Sequence, residues 1–396
     1  MSGKRRVFTS DTRQLSDTQP KRVRQAVDQE AAEPQLLGHH QSAEVVHSPE
    51  LFTVAANSAP APIVLRWNRR VTRRSHLPRN LRAAPFTVAS AREAGVSPSR
   101  LRAADLHAPT RGVRVLVEGG GKPDAREPAP RLTAAERMQR LRAVLLDDMR
   151  NIAPALTEQQ FFSHESGLAA LGTPLPYTAA ERRAVHVSAR RPHAQPQRYG
   201  VVGHRLQVRE SALRFARGLP IEHPARMWRQ AASVWTVDDL IVAGDFLVHP
   251  RNGLLTFDEL RSELAEAGDV RGRLSKALRE IRVGAESAQE TLLRLLLTRA
   301  GLPEPELNMD LTDDRGMFVA RLDLAYPRYR VAPEYDGRGH ATGTQFVTDA
   351  DRWDAIRGEG WEHVRILSHH MRPHPEVAVD RVARALVNAG WRPGLT

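Results

Sequence analysis

The segment FVARLDLAYPRYRVAPEYDG, residues 318–337, decides the fold of the C-terminal part of this chain. Its first residues alternate between apolar and polar side chains, which predicts a β-strand that carries Asp323 near its end. The PRY triplet predicts a turn, and a second strand follows that carries Glu334 and Asp336. Because side chains alternate along a strand, Glu334 and Asp336 lie on one face, and a hairpin brings Asp323 opposite them.

Acidic side chains that converge in this way predict a cation site. Three carboxylates repel one another unless a positive charge lies between them. Mg²⁺, or Mn²⁺ in its place, prefers oxygen ligands and is used for phosphodiester hydrolysis. We therefore expect Asp323, Glu334 and Asp336 to be catalytic and to bind the metal, with Glu290 on the preceding helix as a further ligand. His340 is the candidate general base or phosphate contact.

The elements around this hairpin follow the order of a compact α/β nuclease core. A helix is predicted over residues 287–299, before the hairpin, and another helix that carries Arg352 follows it. A strand over residues 364–367 and a last helix from about Pro375 to Ala389 complete the order helix, hairpin, helix, strand, helix.

Residues 286–391 resemble the PD-(D/E)XK phosphodiesterase superfamily, and within it the branch called domain of unknown function 559, which is similar to the very-short-patch-repair endonucleases. The resemblance rests on Glu290, Gly301-Leu302-Pro303, Asp323, Glu334-Tyr335-Asp336-Gly337, His340, Arg352, Gly360-Trp361 and Arg365. It implies a restriction-endonuclease-like core and a metal-dependent DNA endonuclease. In that role Arg352 and Arg365 stabilise the charge of the DNA backbone.

Two positions depart from the pattern of the superfamily. The lysine expected two residues after the second acid is replaced by Asp336, which leaves open the group that activates the attacking water. Pro333 precedes Glu334, and proline cannot donate to a strand ladder. It predicts either a bulge that aims Glu334 or a site that has lost its activity.

Composition limits the class of protein and of partner. A chain of 396 residues predicts two or three domains. The net charge of +12 favours a polyanionic partner, which we take to be DNA. There is no cysteine, no apolar run of membrane-spanning length and no apolar signal core in the first residues, so we expect a cytoplasmic protein without a membrane partner.

The N-terminal part divides into two predicted segments. Residues 1–83 are polar and lack periodicity, which predicts a mostly disordered basic tail. Residues 84–118 predict a winged helix-turn-helix: a helix over 88–94, a second helix over 98–106, and a wing that includes Arg114. Arg100 and Arg102 on the second helix are then the candidate DNA contacts, together with Arg114. This segment resembles the winged helix of AbiEi-type antitoxins; the alternative is a helix pair that docks on the next domain.

Residues 125–280 predict a mixed α/β middle domain that resembles the corresponding part of AbiEi-like proteins. Thr133 with Glu136 forms a predicted capping box, and residues 185–188 and 199–202 predict strands. His164 and His204 are candidates for polar contacts, with a structural role favoured.

Together these patterns predict a multidomain α/β (α+β) DNA-binding protein with a C-terminal metal-dependent endonuclease-like domain. The alternative is a non-catalytic winged-helix regulator, or a type IV antitoxin-like protein with a degenerate nuclease fold. A toxin or a restriction or repair partner stays open.

Overall fold

The computed structural model describes residues 76–117, 133–178, 184–210, 212–269, 271–336 and 343–394. Most of the predicted tail, 1–83, lies outside them, as does His340. The chain is a mixed α/β protein, as predicted.

The helices of the described residues are α1 (Val88–Glu93), α2 (Ala134–Ile152), α3 (His164–Leu171), α4 (Pro224–Ala231), α5 (Val237–Val248), α6 (Phe257–Ala267), α7 (Arg273–Glu280), α8 (Ala288–Arg299), α9 (Gly343–Gly358), α10 (Ser368–Met371) and α11 (Pro375–Asn388). The strands are β1 (Phe86–Thr87), β2 (Leu106–His107), β3 (Val113–Leu116), β4 (Gln160–Phe162), β5 (Val185–Arg190), β6 (Val201–Leu206), β7 (Arg214–Ala216), β8 (Leu219–Ile221), β9 (Glu306–Thr312), β10 (Phe318–Ala325), β11 (Val331–Asp336) and β12 (Glu362–Leu367).

The first described part is a small antiparallel sheet with one short helix. β3 lies between β1 and β2 in this sheet. Thr87 caps α1, because its Oγ1 accepts a hydrogen bond from the Ser90 N–H at 2.9 Å. The first predicted helix and the wing strand are therefore present.

The prediction of a second helix in the helix-turn-helix is wrong. Residues 98–106 contain one 3-10 turn, Arg100–Arg102, after which Ala103 is extended. The guanidinium of Arg100 pairs with the carboxylate of Asp105, with two nitrogen–oxygen distances of 2.9 Å. Residues five apart do not face each other on an α-helix, so this pair requires the chain to leave the helical path.

A five-stranded sheet forms the centre of the middle part. The strand order is β6-β5-β4-β8-β7, with β5 parallel to β6, β4 parallel to β8, and the other pairs antiparallel. Its core joins Phe162 and Val187 of the sheet to Leu168 of α3, Trp228 of α4 and Ile241 of α5. These side chains are fully buried, so burial of the helices against the sheet is the main stabilising contribution here.

The predicted capping box of Thr133 with Glu136 is present, and two further helices of the middle part begin in the same way. Capping boxes are present at Thr133 before α2, at Thr236 before α5 and at Thr256 before α6. In each box the threonine side chain accepts from a main-chain N–H while an acidic side chain three residues later accepts from the threonine N–H.

The C-terminal part contains two strand pairs between helices. β9 pairs antiparallel with β10, and β11 pairs parallel with β12, with Glu334 beside Arg365 in register. The bridge Tyr326↔Val331 joins β10 to β11. Val331 packs with helices α8 and α11, whereas its neighbour Ala332 packs with the buried face of α9. Helices therefore cover both faces of the β11–β12 pair.

Two details differ from the predicted core. β9 is not among the predicted strands, although Leu307, Met309 and Leu311 alternate with polar residues as a strand requires. The bulge predicted at Pro333 is also wrong, because β11 runs in unbroken register with β12 from Val331 to Asp336. The bridge Tyr326↔Val331 connects β11 to β10 two residues before Pro333. Pro333 has no N–H and so cannot donate a further hydrogen bond to β10.

A buried ion pair connects the middle part to the C-terminal part. Asp245 on α5 accepts from Arg294 Nη2 on α8 at 2.9 Å, and from the Thr291 hydroxyl at 2.9 Å. The Arg282 N–H donates to the other carboxylate oxygen at 2.8 Å. The described residues all belong to one compact unit. None of the helices they form combines the length and apolar character that crossing a membrane would need.

Candidate functional site

Asp323 lies on β10 and faces β11. Its carboxylate accepts a hydrogen bond from the main-chain N–H of Tyr335. The pKa of Asp323 is raised from its ordinary 3.8 to about 7, first by burial and then by the nearby charges of Glu334 and Glu290. Arg352 and the Tyr335 N–H act in the opposite direction without cancelling this effect. A carboxyl group that titrates near neutral pH among other acids is one that an added cation would hold in its ionised form.

Glu334 is buried, with 8% of its surface exposed, and both of its carboxylate oxygens have a partner. Oε1 accepts from Arg352 Nη1 at 2.6 Å, and Oε2 lies 2.9 Å from His363 Nε2. Burial raises the pKa of Glu334, but the hydrogen bonds from His363 and Arg352 outweigh burial and the net pKa is lowered. Glu334 is therefore the ionised member of the site, and Asp323 is the member that holds a proton more readily.

Asp336 is paired with the other predicted arginine. Arg365 donates from Nε to Asp336 Oδ2 at 2.8 Å, and its Nη2 lies 2.5 Å from the same oxygen. The guanidinium carbon of Arg365 lies 4.8 Å from the centre of the Trp353 ring, which in turn stacks on the His363 ring at 5.5 Å. The pairs Glu334–His363 and Asp336–Arg365 are thus joined through the Trp353 side chain of α9.

Glu290 is fixed at the start of α8. Ser287 Oγ accepts from the Glu290 N–H at 3.2 Å and caps the helix. Glu290 Oε2 accepts from the Glu286 N–H and from Asn308 Nδ2, each at 2.8 Å. Asn308 has a φ of 49°, in the left-handed region that asparagine tolerates better than most residues, and it sits on β9. The side chain of Glu290 is therefore held in place by two hydrogen bonds.

The carboxylate oxygens of this site are suitable ligands for a hard divalent cation, but in this structure they do not point to one common position. Carboxylate oxygens are the ligands that Mg²⁺ prefers. Among the residues that the structure describes, Asp323, Glu334, Asp336 and Glu290 do not form a group of three whose ligand oxygens all lie within 4.8 Å of one another. A single ion held by three of them therefore requires these carboxylates to move from the positions in which their present partners hold them.

The predicted DNA contacts near the N-terminus have different surroundings. The side chain of Arg100 is 7% exposed and is held by Asp105, so it does not project toward a groove as predicted. Arg114 donates to the main-chain oxygens of Leu101 and Val113, at 2.9 and 2.8 Å, and so ties β3 to the 3-10 turn. Arg102 is exposed, as a DNA contact would be.

Two side chains of the site were not predicted from the sequence. His363 binds Glu334, and Trp353 lies between His363 and Arg365. His363 could have been found, because it precedes Arg365 by two residues on a strand and therefore shares its face. The contact of Trp353 depends on how α9 packs on that face, which no local pattern encodes.

Fold and site together define a mixed α/β protein with an acidic site at a C-terminal hairpin. No family model matches the chain, and no solved structure matches it. Two uncharacterized proteins of Mycobacterium tuberculosis, MT2308 of strain CDC 1551 / Oshkosh and Rv2248 of strain ATCC 25618 / H37Rv, are similar to it. Each is 30% identical over 191 residues, which cover 48% of this chain and 67% of the relative. The chain belongs to the same family as these uncharacterized proteins.

Proposed function

We propose that the protein binds DNA and that residues 286–391 act as a metal-dependent endonuclease-like phosphodiesterase domain. The observation that carries this proposal is the position of Asp323, which is buried beside Glu334 and Glu290 and whose pKa is raised to about 7. The three carboxylates come from different elements: Glu290 from α8, Asp323 from β10 and Glu334 from β11. Such an accumulation of like charge is unfavourable in itself and is typical of a site built for a cation.

Mg²⁺ or Mn²⁺ is the cofactor that fits these residues, with Asp323 and Glu334 as its main ligands and Asp336 and Glu290 as further ones. Bound there, the ion would polarise a phosphate and lower the pKa of a water molecule. His363 would keep Glu334 oriented, because its side chain is 5% exposed and is packed against Trp353. His340 stays a predicted base or phosphate contact, since it lies outside the described residues.

Arg352 and Arg365 would exchange carboxylate partners for phosphate. Each guanidinium now neutralises an acid that the metal would need, Glu334 and Asp336 respectively. With a divalent cation held by these carboxylates, the two guanidinium groups would be free to bind the phosphates of the DNA backbone, which they bind well. The net charge of +12 supports DNA as the partner, and this function agrees with the cytoplasmic location predicted from composition.

The alternative function, a non-catalytic regulator or antitoxin-like protein that only binds DNA, is favoured by the same two ion pairs. If Arg352 and Arg365 stay on their carboxylates, the acid site is neutral enough to need no metal. The fold would then be retained as a DNA-binding surface.

A plasmid-nicking assay with Mg²⁺ or Mn²⁺ separates the two functions. The wild type should nick supercoiled DNA in a metal-dependent way, and Asp323→Ala and Glu334→Ala should lose this activity by orders of magnitude because each removes a charged ligand. Asp314→Ala is the matched control, since Asp314 is an exposed acid on the turn between β9 and β10. Equal nicking by the wild type and Asp323→Ala, at every metal and pH, would end the endonuclease proposal and leave the regulator.

A further inference from the structure

Three histidines meet in the middle sheet, far along the chain from the acid site. His164 begins α3, His186 lies on β5 and His204 lies on β6, which pairs in parallel with β5. Each ring offers one nitrogen, and these three nitrogens all lie within 4.8 Å of one another. Among the described residues, this is the only group of three potential metal-ligating side chains that lie so close together.

Two of the ring nitrogens are already at nearly the separation that a metal ion imposes. His186 Nδ1 lies 2.9 Å from His204 Nε2. With zinc–nitrogen distances of about 2.0–2.1 Å, two imidazole nitrogens on one tetrahedral Zn²⁺ lie roughly 3.3 Å apart. A small increase in this separation and a rotation of the rings would let both nitrogens coordinate one ion, provided that the His204 ring takes the tautomer that carries its proton on Nδ1.

The side chains behind the histidines orient the rings. Glu165 Oε1 lies 3.2 Å from His186 Nε2, and the other oxygen of Glu165 accepts from Trp235 Nε1 at 2.8 Å. A carboxylate behind a histidine fixes the tautomer that leaves the opposite nitrogen free to coordinate a metal. Ser163 Oγ lies 2.9 Å from His164 Nδ1 and holds that ring in place.

The protonation of the rings is compatible with metal binding. Burial and the neighbouring histidines lower the pKa of His164 to about 2 and that of His204 to about 4. Both rings are therefore neutral near pH 7, which is the form that coordinates metal ions. His164 also has a φ of 50°, a backbone conformation that costs free energy and that keeps its ring against the other two.

We propose that His164, His186 and His204 bind one transition-metal ion of the class that prefers imidazole, with Zn²⁺ as the first candidate. Three neutral nitrogen ligands suit Zn²⁺, Cu²⁺ or Ni²⁺ rather than Mg²⁺, so this site differs in chemistry from the acid site of the hairpin. The rings of His164 and His204 are stacked, with centres 3.8 Å apart. Binding must rotate one of them so that its nitrogen points at the ion.

The test uses the full chain, freed of metal with a chelator and then titrated with Zn²⁺ in a competition assay. The wild type should bind one Zn²⁺ that His204→Ala loses, with affinity lower by more than about 100-fold, because removing a direct ligand costs more affinity than removing the hydrogen-bond partner of a ligand. Glu165→Gln should weaken binding by about 10–100-fold, since it disturbs only the orientation of His186. Co²⁺ in place of Zn²⁺ should give visible absorption bands of a low-symmetry site.

Two controls keep the outcome specific. His193→Ala removes an exposed histidine of the same region and should leave Zn²⁺ binding unchanged. Asp323→Ala removes a carboxylate of the acid site and should also leave Zn²⁺ binding unchanged. The histidine site is therefore tested independently of the endonuclease proposal. Circular dichroism of each variant shows whether it folds. If the wild type binds no more Zn²⁺ than His204→Ala, the cluster is a neutral histidine stack and the proposal is overturned.

Discussion

Arg352 ties Glu334 on β11 to the main chain of β10. Its Nη1 donates to Glu334 Oε1 at 2.6 Å, and its Nη2 donates to the main-chain oxygen of Arg321 at 2.6 Å. The guanidinium thus connects β10 and β11, whose main chains are joined by the bridge Tyr326↔Val331. Structural support and charge compensation in the acid site therefore come from the same side chain, and mutation of Arg352 removes both.

Replacing Arg352 by alanine should destabilise the fold in the absence of metal. Glu334 would keep His363 as its partner but lose its guanidinium, and the unfolding free energy should fall by about 1–3 kcal/mol. Urea denaturation measures this change. Arg357→Ala is the control, since Arg357 lies on the same helix, is 59% exposed and should change stability by no more than about 0.5 kcal/mol. Equal losses in the two variants would contradict a structural role for the Arg352–Glu334 pair.

Asp323→Asn should make the protein more stable at alkaline pH. The folded-state pKa of Asp323, about 7, lies above its ordinary 3.8, so the folded protein holds this proton more tightly than the unfolded chain. The corresponding stability is present below pH 3.8 and is lost as the pH rises through 7. Asparagine cannot ionise, so the melting temperature of Asp323→Asn should exceed that of the wild type at pH 8, with a smaller difference at pH 5.

Differential scanning calorimetry at pH 5, 6, 7 and 8 follows this difference, with Asp314→Asn as the exposed control. Mg²⁺ at pH 8 should stabilise the wild type and not Asp323→Asn, because the ion offsets the charge that only the wild type carries. A difference in melting temperature that does not change with pH would show that Asp323 does not titrate in this range.

The sequence predicts the elements of this fold better than their contacts. The capping box of Thr133 and the alternation around Asp323 are local, and the structure has them at the predicted places. The partners of the site residues depend on tertiary packing. That Arg352 reaches Glu334, and that Arg100 is buried against Asp105, follows from how separate segments meet. An arginine is normally exposed, so its burial is among the contacts that sequence patterns predict least well.

Arg100 and Arg102 should respond to mutation in opposite ways. Arg100→Ala removes the partner of Asp105 from a buried site, and the unfolding free energy should fall by about 1–3 kcal/mol. Arg102→Ala removes an exposed side chain and should change stability by less than about 0.5 kcal/mol. If this segment contacts DNA, Arg102→Ala should weaken binding and reduce the slope of log affinity against log salt by roughly 1. Fluorescence anisotropy with duplex DNA at several salt concentrations measures this slope. An unchanged slope would show that Arg102 does not contact the DNA phosphates.

The buried pair between Asp245 and Arg294 should be the most sensitive contact between the middle and C-terminal parts. Both side chains are almost fully buried, at 1% and 2% exposed, so removing one leaves the other without its charge partner. Burial raises the pKa of Asp245, and the positive charge of Arg294 acts in the opposite direction. Arg294→Ala should therefore cost about 3–5 kcal/mol of unfolding free energy.

The control for this prediction lies on the same helix. Arg299 pairs with Glu280 and Asp238 but is 41% exposed, and its replacement by alanine should cost no more than about 1 kcal/mol, because exposed ion pairs contribute little. The pair Arg294→Ala and Asp245→Asn in one chain should be less destabilised than the sum of the two single variants, since the second change removes the charge that the first leaves buried. Urea unfolding of the three variants gives this coupling energy. If the losses simply add, the two side chains contribute to stability independently of each other.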